Sequence, residues 1–380
     1  MSKGTILYIG NFELPDKGAS ANRVMTNRLL FRECGYRTVY LGVTKEEQFE
    51  GIRRASFDAD VYERAYPSST KVWLERLHSL KDILDVAQKY EDIRFVVFYN
   101  APFSLVRKAH RHFQNSDVKV LYDCTEWNAE TEGNKLKRLF KKYDTHQIRH
   151  NLDKVVDGLI VISSLMKKSY QGVPIIQLPP LVDVESDIWN QERNRTDSDF
   201  EFCYAGDPGK KDDLCVLIDA FLRMERDDVK LCIIGVEKES FLNDHQEYAS
   251  MLNKEEKKVS FFGRVPHKAV IQKLISTDCF VFIRESNLRN NAGFPTKFAE
   301  AYTSGARIIT TNISDIAEYK ANSIRLLTDI KRETIAVAME TIIASCKSSG
   351  LRNSFDYRKK IHIAQSFIEA ISGKTKGNTK

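Results

Sequence analysis

Short, almost wholly apolar runs alternate with longer amphipathic stretches along most of the chain. In the first half the runs are Thr5–Gly10, Thr38–Val43, Arg94–Asn100, Val118–Asp123, Gly158–Ser163 and Pro174–Pro179. In the second half they are Phe200–Gly206, Val229–Gly235, Val259–Gly263, Cys279–Arg284, Ala306–Thr311 and Ile324–Leu327. Runs without a polar face read as parallel strands covered on both sides by helices. Two such sets predict an α/β chain of two Rossmann-like, doubly wound domains facing across a cleft. The polar, aperiodic stretch Asp183–Phe200 reads as the linker, which sets a first domain at 1–190 and a second at 199–354. Phe355–Ile371 predicts a terminal helix packing back on the first domain, ahead of a polar tail.

Composition narrows the class only slightly. With 380 residues, 42% hydrophobic and 29% charged, the chain is an ordinary globular sequence of two or three domains. A net charge of +6 suits an anionic small molecule or surface and is too weak to point to nucleic acid. The seven cysteines stand singly without a C-x-x-C pair, as expected of reduced core thiols in a cytosolic protein. The strand-like start offers no signal-peptide pattern, and no run approaches the roughly 20 apolar residues of a membrane span. The expected setting is cytoplasmic.

In open α/β sheets ligands bind beyond the carboxyl ends of the strands, so the loops there carry the candidates. After Phe200–Gly206 comes an Asp207-Pro208-Gly209 turn, then Lys210 and Lys211 near a helix start that Asp212 or Asp213 can cap. Cations at a helix N-terminus are disfavoured by roughly 0.3–1 kcal/mol each. A bound phosphate would reverse that; solvated lysines offset by the two aspartates are the plainer alternative. The stretch AGFPTKFAEAYTSGARIITT, Ala292–Thr311, repeats the arrangement after the strand that ends at Arg284. Gly293 permits close approach to a ligand, and Pro295 suits a helix start. Lys297 and Glu300 lie three apart and share a helix face. A phosphate above that turn explains the lysine, and a carboxylate one turn deeper suits vicinal sugar hydroxyls. The bland alternative is an intrahelical ion pair worth about 0.2–0.5 kcal/mol.

The loop after Val118–Asp123 reads CTEWNAETEGN. Asp123, Glu126 and Trp127 gather polar groups and an aromatic face, a combination suited to a saccharide acceptor; a helix-capping Asp123 and a core Trp127 explain it equally well. The segment 135–154 carries Lys135, Lys137, Arg138, Lys141, Lys142, Arg149 and Lys154 with Leu136, Leu139, Phe140 and Tyr143 at helical spacing. It reads either as a solvated helix with its apolar side in the core or as one lying on an anionic membrane surface.

These segments, taken in order, resemble the group-one glycosyltransferases, which are retaining enzymes of the GT-B fold. Ala292–Thr311 resembles the family's signature of two glutamates followed by a small-residue helix and a strand. YAGDPGKKDDLCVLIDAF resembles its first donor loop, and SFFGRVPHKAVIQKLISTDCFVFIR its following strand, turn and helix. DGLIVISSLMKKSYQGVPIIQLPPLVD resembles the end of its first domain. The likeness is strongest over Phe200–Thr311.

The resemblance implies a hexosyl transfer from a nucleotide-diphosphate sugar to a saccharide or lipid-linked saccharide, as in cell-surface polysaccharide biosynthesis. No cofactor and no metal are expected, the leaving phosphate assisting deprotonation of the incoming hydroxyl. Lys211 matches the lysine that grips the diphosphate, and Glu300 the glutamate that binds ribose. Gly206, Gly293, Phe294, Pro295, Thr296 and Lys297 fall where the family holds the donor, and Gly18 matches the loop that closes over the phosphates. Asp123, with Lys211 and Arg284, is the expected catalytic set.

Two departures stand out. Ala292 occupies the position of the first signature glutamate, eight residues before Glu300, and the usual loop arginine is missing near Asp207. Arg284 is expected to supply that charge. The competing readings are a nucleotide-sugar epimerase or hydrolase of the same fold and a non-catalytic scaffold. A dinucleotide dehydrogenase is set aside because GNFELPDKG lacks the G-x-G-x-x-G spacing.

Overall fold

The computed structural model describes residues 2–127, 135–193, 199–209, 211–319, 321–344 and 352–373. Lys210, Cys346 and the polar tail from 374 onward lie outside the described residues, as do parts of the linker and of the loop after Trp127. The chain divides into two compact units, Met1–Leu181 with Tyr357–Lys380, and Val182–Asp356.

The first unit is built on β1 (Gly4–Gly10), β2 (Tyr36–Thr44), β3 (Arg53–Arg54), β4 (Val61–Ala65), β5 (Ile93–Tyr99), β6 (Lys119–Cys124), β7 (Gly158–Val161) and β8 (Ile175–Gln177). Their order is β3-β4-β2-β1-β5-β6-β7-β8. All neighbours are parallel except the β3–β4 pair. Every residue of β1 is buried, which is why its sequence shows no polar alternation. Strands β3 and β4 have no counterpart among the apolar runs. VYERA carries Glu63 and Arg64, and the latter is buried with its guanidinium 3.7 Å from Asp82.

The terminal helix runs over Ile361–Ser372 and belongs to this first unit. Ala364, Phe367, Ile368 and Ile371, at one-face spacing, enter the same core as Ile6, Tyr8 and Leu30. Each large apolar side chain buried this way contributes about 1.5–3 kcal/mol. Gly158 makes the close approach possible, since a Cβ there would lie 2.7 Å from Ile371.

The second unit holds β9 (Phe200–Ala205), β10 (Val229–Ile234), β11 (Val259–Phe261), β12 (Cys279–Phe282), β13 (Arg307–Thr311) and β14 (Ile324–Leu327). The order β11-β10-β9-β12-β13-β14 is fully parallel. Counted within this unit it is the doubly wound order 3-2-1-4-5-6, and it reverses direction between β9 and β12. The crevice at such a reversal is left open because the connections from the two strands leave on opposite faces of the sheet.

Candidate functional site

The loops that follow β9 and β12 meet at that reversal. Beyond Ala205, Gly206 adopts φ 126°, a left-handed conformation that glycine alone takes without strain. Asp207 accepts the Gly209 N–H at 2.9 Å and tightens the turn. Asp213 then caps the Leu214–Leu222 helix, its carboxylate accepting the Val216 N–H at 3.0 Å. Asp212, the other candidate cap, has a different role.

Asp212 turns into the protein with its side chain 1% exposed. Its Oδ1 accepts from Arg284 Nε at 2.7 Å, and Arg284 Nη2 lies 2.6 Å away. Its Oδ2 accepts from Lys297 Nζ at 2.5 Å and from Tyr204 OH at 2.9 Å. Lys297 Nζ also reaches Tyr204 OH at 3.1 Å and sits 4.3 Å from the centre of its ring. Backbone contacts fix the geometry: Asp213 N–H donates to Ile283 O, and Arg284 N–H to Thr311 Oγ1 at 3.2 Å. Gly206 leaves room for the lysine, because a Cβ there would lie 2.9 Å from Lys297 Nζ.

The electrostatics follow from this enclosure. Burial works to raise the Asp212 pKa, but Lys297 and Arg284 together outweigh it, so the carboxyl lies below its ordinary value. Burial lowers the Lys297 pKa; Asp212 offsets that in part and Arg284 adds to it, leaving the lysine below the usual lysine range. Tyr204 is pushed up by burial and by Asp212. The Asp212, Arg284 and Lys297 side chains together carry one net positive charge.

The Gly293–Thr296 loop joins the short Leu288–Ala292 helix to the Thr296–Ser304 helix, where Pro295 stands at the cap position. Phe294 anchors it, packing edge-on against Phe298, Tyr319 and Phe355 at 5.7–5.9 Å between ring centres. Its ring is therefore part of the core, and only its backbone faces the loop's surroundings. The first amides of a helix have no partner within the helix, so this end can receive an anion.

Lys297 and Glu300 do not pair with each other. Glu300 Oε1 instead accepts a hydrogen bond from His267 Nε2 at 2.9 Å, at the start of the His267–Ser276 helix. Sequence reasoning missed His267; its position directly after Pro266 at a helix start was the available signal. It also missed Asp212 as a site residue and Tyr204. Lys211 lies beside Asp212, partly exposed in the turn. Ala292 is 0% exposed and supplies no polar group where the resemblance has its first glutamate. Gly18, in the first unit, opens the Ala19–Glu33 helix with φ 101° and open space around it.

The acceptor-side expectation needs correction. Asp123 is 0% exposed, and Arg23 grips both of its oxygens at 2.7–3.1 Å. Tyr8 OH donates to it at 2.5 Å and Asn27 Nδ2 at 3.4 Å. With both oxygens engaged by Arg23, Tyr8 and Asn27, the buried Asp123 ties β6 to β1 and the first helix, a structural role where the sequence suggested an acceptor contact. Trp127 is likewise buried, its indole N–H donating to Tyr170 OH at 3.2 Å. Glu126 between them is partly exposed.

The strand-order reversal carries the clustered cations, and the fold as a whole is similar to solved structures of the GT-B fold. A glycosyltransferase from Rickettsia africae matches with TM-score 0.70 at 14% identity, over 99% of this chain and 100% of that one. HepE of Anabaena, in complex with UDP, matches with TM-score 0.65 at 12% identity over 96% and 99%. Sucrose-phosphate synthase of Thermosynechococcus elongatus gives TM-score 0.65 at 12% identity over 98% and 97%. No curated protein matches the chain in sequence. Residues 199–345, which carry the Asp212 cluster and Glu300, match the model of the family Glycosyl transferases group 1.

Proposed function

We propose that the protein is a retaining glycosyltransferase that moves a hexose from a nucleotide-diphosphate sugar to a hydroxyl of a saccharide or lipid-linked saccharide, in cell-surface polysaccharide assembly. The observation that carries this reading is the Asp212–Arg284–Lys297 cluster at the strand reversal of a group-one domain. Breaking the bond between the sugar C1 and the diphosphate oxygen leaves an anionic leaving group and an oxocarbenium-like sugar. Cations already fixed in place stabilise that charge without reorganisation. Asp212 holds Arg284 and Lys297 in register while they face the diphosphate, and Lys211 adds a third cation from the adjoining turn. The acceptor oxygen then bonds to C1 on the face the diphosphate leaves, and its proton passes to a diphosphate oxygen.

Glu300 receives the ribose hydroxyls, with His267 fixing its rotamer from behind. Ala292 leaves sugar recognition to other groups of the loop. On the first unit, Leu139 and Tyr143 are 65% and 64% exposed beside Arg138 and Lys142, an arrangement that suits contact with an anionic membrane surface. No described helix is long and apolar enough to cross a membrane.

The test starts from UDP, the nucleotide bound to HepE. A panel of nucleotide sugars is screened for thermal stabilisation, and the best donor is assayed for transfer and for anomeric outcome by NMR. A ligand at 100 times its Kd adds about 2.7 kcal/mol to stability. Absence of stabilisation by every nucleotide sugar sinks the reading, and UDP-sugar turnover without an acceptor favours the epimerase or hydrolase alternative.

A further inference from the structure

Arg64 lies one residue from the end of β4, buried with its side chain 7% exposed. The two residues of β3 pair with Tyr62 and Glu63, so only β2 flanks Arg64 in the sheet. Its Nε–H is enclosed and has no hydrogen-bond partner among the described residues. Asp82 Oδ2 stands 3.7 Å from its Nη1, near enough to attract but too far for a hydrogen bond. Arg76, the last residue of the Thr70–Arg76 helix, brings a second guanidinium to the same place, its Nη1 donating to Ala65 O at 2.5 Å. We propose that Arg64 and Arg76 together bind a compact inorganic oxyanion, phosphate or sulfate in size and charge, as the counter-ion of this corner of the first unit.

A buried guanidinium is costly unless both its charge and its hydrogen bonds are met. At Arg64 the charge is met only by Asp82 at long range, and that acid is shared with Arg76. Burial, and after it the Arg76 charge, hold the Arg64 pKa down at about 10, and burial lowers that of Arg76 as well. At neutral pH the two cations therefore stand side by side. An oxyanion answers both needs at once. Two of its oxygens accept the parallel Nε–H and Nη–H of one guanidinium, and a further oxygen reaches the second. A halide, being a single acceptor, cannot take that pair of bonds.

Asp82 does not need Arg64 to explain its place. It sits in the first turn of the Lys81–Ala87 helix, where the helix dipole favours an acid, and its side chain is 24% exposed. It competes with the anion for the two cations rather than standing in for it. The site shares no residue with the Asp212 cluster, which belongs to the other unit, and it does not depend on the transferase reading.

The test is thermal unfolding of the full chain at fixed ionic strength, with sulfate at about 10 mM against chloride, where the general strengthening of burial by sulfate is small. Sulfate should raise the wild-type Tm by at least about 2 °C more than chloride does. Any share due to the cations around Asp212 is common to the wild type and the variants, so the comparison isolates the first unit. Arg64→Gln and Arg76→Gln should each lose at least about half of the excess, because each removes one arm of the grip. Arg76 is only part-buried, so its variant keeps the test open if Arg64→Gln does not fold. Asp82→Asn should enlarge the excess, since it removes the competing charge. Crystals grown with selenate should show an anomalous peak within hydrogen-bond reach of both guanidinium groups. No excess in the wild type, an undiminished excess in Arg76→Gln, an excess that does not grow in Asp82→Asn, or no peak beside Arg64 overturns the proposal.

Discussion

Lys297 Nζ lies 2.5 Å from Asp212 Oδ2, although 85 residues separate the two in sequence. The pair joins the loop after β9 to the second turn-bearing loop after β12, and Arg284 closes it from the other carboxylate oxygen. Asp212 thus acts as a fixed counter-ion to both cations.

Asp212→Asn should therefore separate stability from ligand response. Removing one member of a buried ion cluster leaves its partners uncompensated, at a cost of about 3–5 kcal/mol in denaturant unfolding. The diphosphate is then the main counter-ion left to the two cations, so UDP should raise the variant's Tm by more than it raises that of the wild type. Turnover should fall at least about tenfold, because the cations lose their register. A smaller UDP-induced shift in the variant would place the cations away from the diphosphate.

Donor affinity should weaken on the alkaline side. Burial lowers the Lys297 pKa from its ordinary 10.5, against the pull of Asp212. The protonated form binds phosphate, so affinity is full at neutral pH and is lost as pH rises through that lowered value. Lys297→Arg stays charged across this window. Calorimetric titration of UDP from pH 7 to 10 should show a steeper loss for the wild type than for the arginine variant, and parallel curves would exclude Lys297 as the titrating group.

Glu300 should confer a preference for ribose. Charged hydrogen bonds contribute about 1.5–3 kcal/mol, so the wild type should favour UDP over 2′,3′-dideoxy-UDP by at least about tenfold. Glu300→Ala should reduce that ratio to near one. His267→Ala should lower it in part without abolishing UDP binding, because His267 only orients the carboxylate. An unchanged ratio in both variants would remove Glu300 from the ribose site.

Asp123→Asn should harm the fold and spare the chemistry. It leaves the Arg23 guanidinium, 5% exposed, with a neutral partner. Stability should drop by about 3–5 kcal/mol. Activity per folded molecule should stay within about twofold of the wild type. A large loss of kcat at an unchanged folded fraction would restore Asp123 to the catalytic set.

Asp144 offers a pH test of the first unit. Burial raises its pKa to about 6, although the Phe103 N–H donates to it at 2.8 Å. Because the folded value exceeds the unfolded one, the carboxyl favours the fold when protonated, and that contribution is lost as pH rises through about 6. Asp144→Asn keeps an acceptor for Phe103 and carries no charge. Relative to wild type its Tm should rise between pH 5 and pH 8, a relative gain of at most roughly 3 kcal/mol; a constant difference would contradict the raised pKa.

The sequence by itself determined the two sheets. Strands buried on both faces must be apolar throughout, so twelve of them stand out as runs such as ILYI and FVVF. It also marked Lys297 and Arg284, because cations at a helix start or a strand end conflict with local preference and signal a ligand or a distant partner, and Glu300, because it lies three residues on from Lys297 on the same helix face. It missed β3 and β4, where Glu63 and Arg64 interrupt the apolar pattern and the strand is stabilised by pairing with β2.

Only the tertiary structure decided the partners. Asp212 and Asp213 are adjacent acids with equal capping propensity, and the direction of one peptide sends Asp213 to the helix and Asp212 to Arg284 and Lys297. Asp123 and Trp127 looked like acceptor contacts because polar and aromatic residues in a loop have that composition. Their roles were fixed by Arg23 and Tyr170, which sequence separation hides. Local chemistry is written in neighbouring residues, whereas an ion pair is settled by which strand ends the sheet order brings together. The reversal between β9 and β12 sets that order in the second unit.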